Sequence, residues 1–141
     1  MDYCLLAEKL VDLRMLMHLT PAVRKLSVLE QGTFLALQCL SDHQDAVHPK
    51  ELSREMAISS ARVAALLNHM EREEMIVRTA DPNDSRQIMV SLTPEGKRLV
   101  QTKRKEVVDL MANAPKGLEP EEAETYFRIQ RKLLRNFMHQ T

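Results

Sequence analysis

The amino-acid sequence predicts a mainly α-helical fold with one small β-hairpin. Only 3 of the 141 residues are glycine and 4% are aromatic, which disfavours a turn-rich β-architecture. Along most of the chain, apolar residues recur at spacings of three and four, the period of amphipathic helices. Two short runs rich in β-branched residues, between residues 76 and 92, flank a turn-forming segment. The length of 141 residues fits one domain with its own core.

Composition also restricts the classes of function. The 20 basic and 20 acidic residues cancel, and residues 47–105 hold eleven Lys/Arg against eight Asp/Glu, an excess too small to indicate a nucleic-acid partner. Cys4 and Cys39 lack disulfide-framework and metal-site spacing. We see no signal peptide or membrane span and expect a soluble, cytoplasmic protein without cofactor or metal. A Gly-rich phosphate loop and a nucleophile elbow are missing, so we do not expect an enzyme.

The first two helices are predicted from apolar periodicity and from their boundary residues. Residues Tyr3–Leu19 have helical spacing, and this helix is expected to end before Pro21, which cannot continue it. A second helix is expected to begin at Ser27, with Glu30 completing a capping box. It should run to about Leu40.

The middle of the chain predicts two helices joined by a tight turn. Pro49 suits the first position of a short helix, Pro49–Met56, and Glu51 adds favourable negative charge to its first turn. Ser59 or Ser60 then caps a following helix that runs to about Glu74.

A β-hairpin follows, with strands at Ile76–Thr79 and Gln87–Leu92 and turn-forming residues over 80–86. Thr93 as a cap and Pro94 at the first position start a long helix that should end near residue 112. A last helix is expected over residues 119–138. Its apolar stripe contains Phe127, Leu134 and Phe137.

The predicted order of elements is short helix, turn, helix, hairpin and long helix, which is the winged helix-turn-helix layout. The second helix of this layout can enter the major groove of DNA. In that helix the residues expected to face the core are Val63, Leu66, Leu67 and Met70. Small residues and hydrogen-bond donors remain on its outer face: Ser60, Ala61, Arg62, Ala64, Ala65 and Asn68. Similar helix pairs occur in all-α proteins that never touch DNA, so this feature alone leaves the function open.

Several short motifs add specificity. They are Glu51-Leu52, Ile58-Ser59, Val63, Ile76-Val77-Arg78, Asp81-Pro82-Asn83-Asp84-Ser85-Arg86 and Val90-Ser91-Leu92-Thr93-Pro94-Glu95-Gly96. With them the chain resembles the MarR family of transcriptional regulators, which typically shows Asp-x-Arg at the wing tip and Leu-Thr-x-x-Gly opening the next helix. The resemblance covers nearly the whole chain in length and element order.

The resemblance implies that Arg86 enters the minor groove and that Asp84 orients its guanidinium. Narrow A/T-rich minor grooves attract a projecting arginine, and a bidentate Asp–Arg pair would hold the long side chain in place. The alternative is a surface ion pair worth at most about 1 kcal/mol. Glu74 departs from the family, which usually has glycine there; the turn before the wing often needs a positive φ, so the tilt of the wing is in doubt.

The resemblance also implies one MarR-type domain over residues 1–141. Residues 27–112 would form the DNA-binding lobe, and residues 1–20 and 119–141 the dimerisation helices. A two-fold homodimer would present its two recognition helices to half-sites about 34–36 Å apart. The alternative is that both outer apolar stripes pack within one monomer.

Candidate sensor residues follow from the same resemblance. Many family members release DNA when a phenolic or other amphipathic effector binds between the dimerisation helices and the DNA-binding lobe. That region would be lined here by Met15, Leu16, Leu37 and Val108. Cys4 stands where some relatives sense oxidants, but no partner that would lower its thiol pKa is evident. Cys39, His43 and His48 are too few for a tetrahedral zinc site.

The sequence therefore predicts a homodimeric, sequence-specific regulator of double-stranded DNA, and by family analogy a ligand-responsive repressor. The predicted DNA-binding residues are Ser59, Ser60, Ala61, Arg62, Ala64, Ala65, Asn68, Arg78, Asp84, Ser85 and Arg86. The alternatives are a helical protein-interaction module and a redox-responsive regulator using Cys4. The operator and the effector are not given by the sequence.

Overall fold

The computed structural model describes residues 1–29 and 32–140. The helices are α1 (Tyr3–Leu19), α2 (Pro21–Leu29), α3 (Thr33–Asp42), α4 (Pro49–Met56), α5 (Ser60–Arg72), α6 (Pro94–Met111) and α7 (Pro120–Met138), with a short 3-10 turn at Pro115–Gly117. The strands are β1 (Ile76–Ala80) and β2 (Ile88–Leu92), and they pair antiparallel with Ile76 opposite Leu92. The predicted fold class, mainly α with a β-hairpin wing, is confirmed.

The boundaries of α1 and α4 were predicted correctly because strong local signals define them. The carboxylate of Asp2 caps α1 by accepting from the backbone N–H groups of Cys4 and Leu5 at 2.9 and 3.2 Å. In α4, Pro49 occupies the first turn and Glu51 supplies its negative charge.

The predicted helix start at Ser27 is wrong. Ser27 lies inside α2, where its hydroxyl donates to the carbonyl of Val23 at 3.0 Å instead of capping a helix. Pro21 ends α1, as predicted, but it also begins α2, because its fixed φ suits the first helical position. Glu30, the other half of the predicted capping box, lies outside the described residues.

One core is formed by α3, α4, α5, the hairpin and the first part of α6. Its buried side chains are Ala36, Leu37, Leu40, Val47, Leu52, Met56, Val63, Leu67, Met70, Ile76, Val90 and Val100. Within residues 1–29 and 32–140 no polar or charged side chain is buried. Aliphatic and thioether packing therefore holds the helix-turn-helix and the hairpin in place.

The described chain divides into two compact units, residues 1–107 and residues 108–141. The first holds the core, and the second holds α7. Glu119 caps α7 with Glu122 in a capping box, which explains why this helix begins where the sequence predicts. The predicted division into a lobe of 27–112 and outer dimerisation segments stays a prediction. Across the described helices, none is both long and apolar enough to cross a membrane.

Candidate nucleic-acid interface

The turn between α4 and α5 sets the position of α5, which we call the recognition helix. Ala57 adopts a left-handed conformation with φ 53° and ends α4. The hydroxyl of Ser53 donates to the carbonyl of Ile58 at 2.6 Å, and Ile58 packs against the core. Ser59 then caps α5 by accepting from the backbone N–H of Arg62 at 3.2 Å. The turn is therefore fixed from both sides, and Ser59 is the cap, as predicted.

The recognition helix is divided into a buried and an exposed face. Val63, Leu67 and Met70 are buried and Leu66 is half-buried, so the predicted core stripe is confirmed. All residues of this segment that the sequence assigned to DNA contact are exposed: Ser59, Ser60, Ala61, Arg62, Ala64, Ala65 and Asn68. Their outward position permits contact with a groove. Their contact with DNA stays a prediction.

Arg78 and Asn68, both predicted to contact DNA, contact each other. One terminal nitrogen of Arg78, Nη2, donates to Asn68 Oδ1 at 2.9 Å, and the other, Nη1, lies 3.4 Å from Glu71 Oε1. The guanidinium thus connects strand β1 to one face of the recognition helix. Nothing in the sequence pattern indicated this contact, because it depends on how strand and helix pack.

At the tip of the wing (residues 76–92), Arg86 projects into solvent with 90% of its side chain exposed. Asp84 Oδ1 accepts from the backbone N–H of Arg86 at 3.1 Å and from its Nε at 3.2 Å. The predicted Asp–Arg pair is present, but it is not bidentate: one carboxylate oxygen holds both donors. Neither of these contacts uses the terminal nitrogens of Arg86, which can therefore meet an acceptor outside the protein. Ser85 is also exposed at the tip.

The base of the wing has contacts that the sequence analysis missed. Val47 and Val90 form an isolated antiparallel bridge, with backbone hydrogen bonds of 2.9 and 2.8 Å. The ring of His48 lies between two oxygens: Nε2 is 3.1 Å from Asp81 Oδ2, and Nδ1 is 3.3 Å from the carbonyl of Ile88. These contacts join the segment before α4 to both ends of the wing turn. Partners separated by 33 to 43 positions leave no local signal.

Glu74 adopts the positive φ, 59°, that the family's glycine would supply. Its carbonyl accepts from the hydroxyl of Thr93 at 2.7 Å, and the same hydroxyl accepts from the backbone N–H of Gly96 at 3.0 Å. A Cβ at Gly96 would lie 2.1 Å from the carbonyl oxygen of Met75. Close packing of α6 against this turn therefore keeps the left-handed conformation although Glu74 carries a side chain. A positive φ is thus present at this position without a glycine, and the effect of Glu74 on the tilt of the wing stays a prediction.

The predicted effector residues do not share one environment. Leu37 is 1% exposed in the core, whereas Met15 and Leu16 of α1 are 65% and 63% exposed. Val108 belongs to the second compact unit and is also exposed. A cavity between the end of α3 and α6 has polar lining residues, among them Ser41, His43, Lys97 and Gln101, and none of the four predicted residues lines it. Their role stays a prediction.

The two cysteines lie in different surroundings. Cys4 is exposed at the start of α1. Burial raises the pKa of the Cys39 thiol, and the carboxylates of Glu55 and Asp42 raise it further. Cys39 is therefore kept as a thiol, the less reactive form. His43 is paired with Glu55 at 2.8 Å, and within the described residues no group of three or more metal-ligating side chains occurs.

Comparison with known proteins agrees with this geometry. Residues 29–88 match the model of the MarR family. The Bacillus subtilis protein YsmB, described as an uncharacterized HTH-type transcriptional regulator, is 36% identical over 76 residues. The match covers 52% of this chain and 51% of that protein, so the chain spans about half the length of this relative.

Two solved structures share the fold. A MarR family protein from Bacillus stearothermophilus is 22% identical, with a TM-score of 0.80, and the match covers 98% of this chain and 99% of that one. A point mutant of MepR from S. aureus, bound to an oligodeoxyribonucleotide, is 24% identical, with a TM-score of 0.60 and coverage of 97% and 99%. The family model thus matches the helix-turn-helix and most of the wing, and the two solved structures show the same fold over nearly the whole chain.

Proposed function

We propose that this chain is a sequence-specific regulator of transcription that binds double-stranded DNA as a homodimer. The observation that carries the proposal is the wing tip, where Arg86 is 90% exposed and is held at its base by Asp84. A minor-groove probe loses less rotamer entropy on binding when its side chain is already positioned.

The recognition helix supports the same function. Small exposed residues at 61, 64 and 65 allow its backbone to approach a groove closely, and Ser60 and Arg62 supply donors near its N-terminus. The positive end of the helix dipole lies at this end and favours nearby phosphates. In addition, one structural neighbour of this chain, the MepR mutant, was solved with an oligodeoxyribonucleotide.

The outer helices support the dimer. In α1 the side chains of Leu10, Leu13 and Leu16 are between 52% and 63% exposed, and in α7 those of Phe127 and Phe137 are 65% and 67% exposed. Apolar stripes of this kind mark interaction surfaces, and a two-fold dimer would match a pseudo-palindromic operator. By analogy with the family, we propose repression that an amphipathic effector relieves. A cytoplasmic location follows, because the relatives come from bacteria and bacterial DNA is cytoplasmic.

The test is binding of the purified dimer to DNA fragments selected from a randomised library, measured at several salt concentrations. We expect the logarithm of the affinity to fall with the logarithm of salt, with a slope of about −0.9 for each neutralised phosphate. Arg86→Ala should weaken binding about 10-fold at sites with A/T-rich flanks and less at G/C-rich flanks. The matched control is Arg98→Ala in α6, since Arg98 is also exposed and paired with a carboxylate, that of Glu95.

Absence of selected sequences, or binding that does not change with salt, contradicts the proposed function. Equal weakening on all flanks would make Arg86 a phosphate contact.

A further inference from the structure

We propose that Arg78 is a positioning residue for base recognition: it fixes the Asn68 side-chain amide so that the recognition helix offers the groove a hydrogen-bond donor at this position. This inference rests on the proposed function. Its starting point is the 2.9 Å contact between Arg78 Nη2 and Asn68 Oδ1.

The chemistry of the two groups settles the orientation of the amide. A guanidinium carries only donors, so the atom of Asn68 that faces it must be the oxygen. The amino group, Nδ2, is then at the opposite side of the amide. An exposed asparagine without such a partner can turn either atom toward a base.

Strand β1 explains why Arg78 is placed to do this. Side chains of a strand alternate between its faces, so Arg78 lies on the same face as Ile76, which is buried in the core next to α5. Only 25% of the Arg78 side chain is exposed, compared with 90% for Arg86. Both arginines are predicted from the sequence to contact DNA, but the partial burial of Arg78 indicates a contact within the protein.

Glu71 completes the arrangement. Asn68 and Glu71 are three positions apart on one face of the recognition helix, and Arg78 contacts them through different terminal nitrogens. Two contacts on one planar group fix its plane as well as its position. The Glu71 carboxylate also neutralises the charge of Arg78, so Arg78 should attract a DNA phosphate less strongly.

The consequence is a preference at one base of each half-site. A donor in the major groove can meet guanine O6 and N7, adenine N7 or thymine O4, whereas cytosine offers only its own donor there. Asparagine commonly reads adenine through both amide atoms, and that contact needs the oxygen to face the base. With its oxygen facing Arg78, Asn68 should favour guanine, which presents two acceptors, and reject cytosine by about tenfold.

The experiment is selection from a randomised operator library with the wild-type protein and four variants: Asn68→Ala, Arg78→Ala, Arg78→Lys and Arg72→Ala. Asn68→Ala should remove the preference at one position and thereby identify it. Arg78→Ala should shift the preference at that same position from guanine toward adenine, since the amide can then rotate. Arg78→Lys keeps the charge but not the fork of donors, so a partial shift in the same direction is expected. Circular dichroism melting confirms that each variant is folded.

Arg72→Ala is the matched control, because it removes a neighbouring positive charge of the recognition helix and leaves the Arg78–Asn68 contact in place. It should lower affinity evenly and leave the base preference as it is. The inference is overturned if Arg78→Ala behaves in the same way, if wild type selects adenine at the Asn68-dependent position, or if Asn68→Ala changes no position. In those cases sequence-specific binding persists and the proposed function stands. If the wild type itself selects no sequence, the proposed function fails and this inference fails with it.

Discussion

The winged-helix segment and the outer helices place their apolar side chains differently. In the recognition helix α5, Val63, Leu67 and Met70 are buried, whereas in the described helices α1 and α7 no residue is buried. The helix-turn-helix and wing thus complete a core within one chain, while the outer helices leave leucine and phenylalanine side chains to solvent. The difference indicates that the first region is stabilised by its own packing and that the second needs another surface.

The largest effect should come from the core of the winged-helix segment. Leu67→Ala should lower the free energy of unfolding by about 2–5 kcal/mol, because it opens a cavity where Leu67 is 2% exposed. Urea denaturation at several protein concentrations measures this. The control is Leu10→Ala in α1, where the same atoms are removed from a side chain that is 52% exposed. Leu10→Ala should lower stability mainly by favouring dimer dissociation, so its effect should depend on protein concentration. If both variants lose the same free energy of unfolding at every concentration, the two regions are not stabilised differently.

A charge in the outer helices should separate the chains without unfolding the winged-helix segment. Leu134→Glu places a carboxylate on the exposed stripe of α7, where Leu134 is 60% exposed. We expect a monomer in analytical ultracentrifugation and a loss of about 100-fold in operator affinity, because the two half-sites are then bound independently. Leu134→Met keeps the volume and should behave as wild type. A dimer that survives Leu134→Glu would place the interface elsewhere.

Gly96 tests how closely α6 packs against the turn before the wing. Gly96→Ala should destabilise the protein by about 1–3 kcal/mol, because the new Cβ would meet the Met75 carbonyl oxygen, which belongs to backbone and cannot swing aside. Gly117→Ala is the matched control, since nothing lies within 4 Å of a Cβ there. Thermal unfolding of both variants gives the comparison. Similar melting temperatures would mean that the turn and α6 can separate at little cost.

The smallest effect expected is a gain in stability. Glu74→Gly relieves the left-handed conformation at φ 59° and should raise the free energy of unfolding by up to about 1 kcal/mol, after the entropy cost of glycine is subtracted. Glu73→Gly serves as control because Glu73 has a φ of −85° and gains nothing from glycine. Equal changes in melting temperature for both variants would show that the conformation of Glu74 is not strained.

The sequence predicted the elements whose signals are local. Pro49, Ser59 and Thr93 each mark a helix start through the residue's own backbone or side-chain chemistry, and the wing has turn-forming residues between its strands. The start predicted at Ser27 failed because a serine with an acid three positions later also occurs inside helices, and Pro21 was a stronger start signal. The Arg78–Asn68 contact and the Val47–Val90 bridge depend on packing between distant segments, so the local pattern could not give them.

The Thr93 hydroxyl links the end of the recognition helix to the start of α6 by two hydrogen bonds. It donates to the Glu74 carbonyl, which follows the recognition helix, and it accepts from the Gly96 N–H in the first turn of α6. One oxygen atom therefore connects the end of one helix to the beginning of another, with the wing strand β2 leading into it. A shift of α6 along its axis must either break one of these two bonds or carry the end of the recognition helix with it. Movement at the start of α6 is therefore transmitted to the end of the recognition helix.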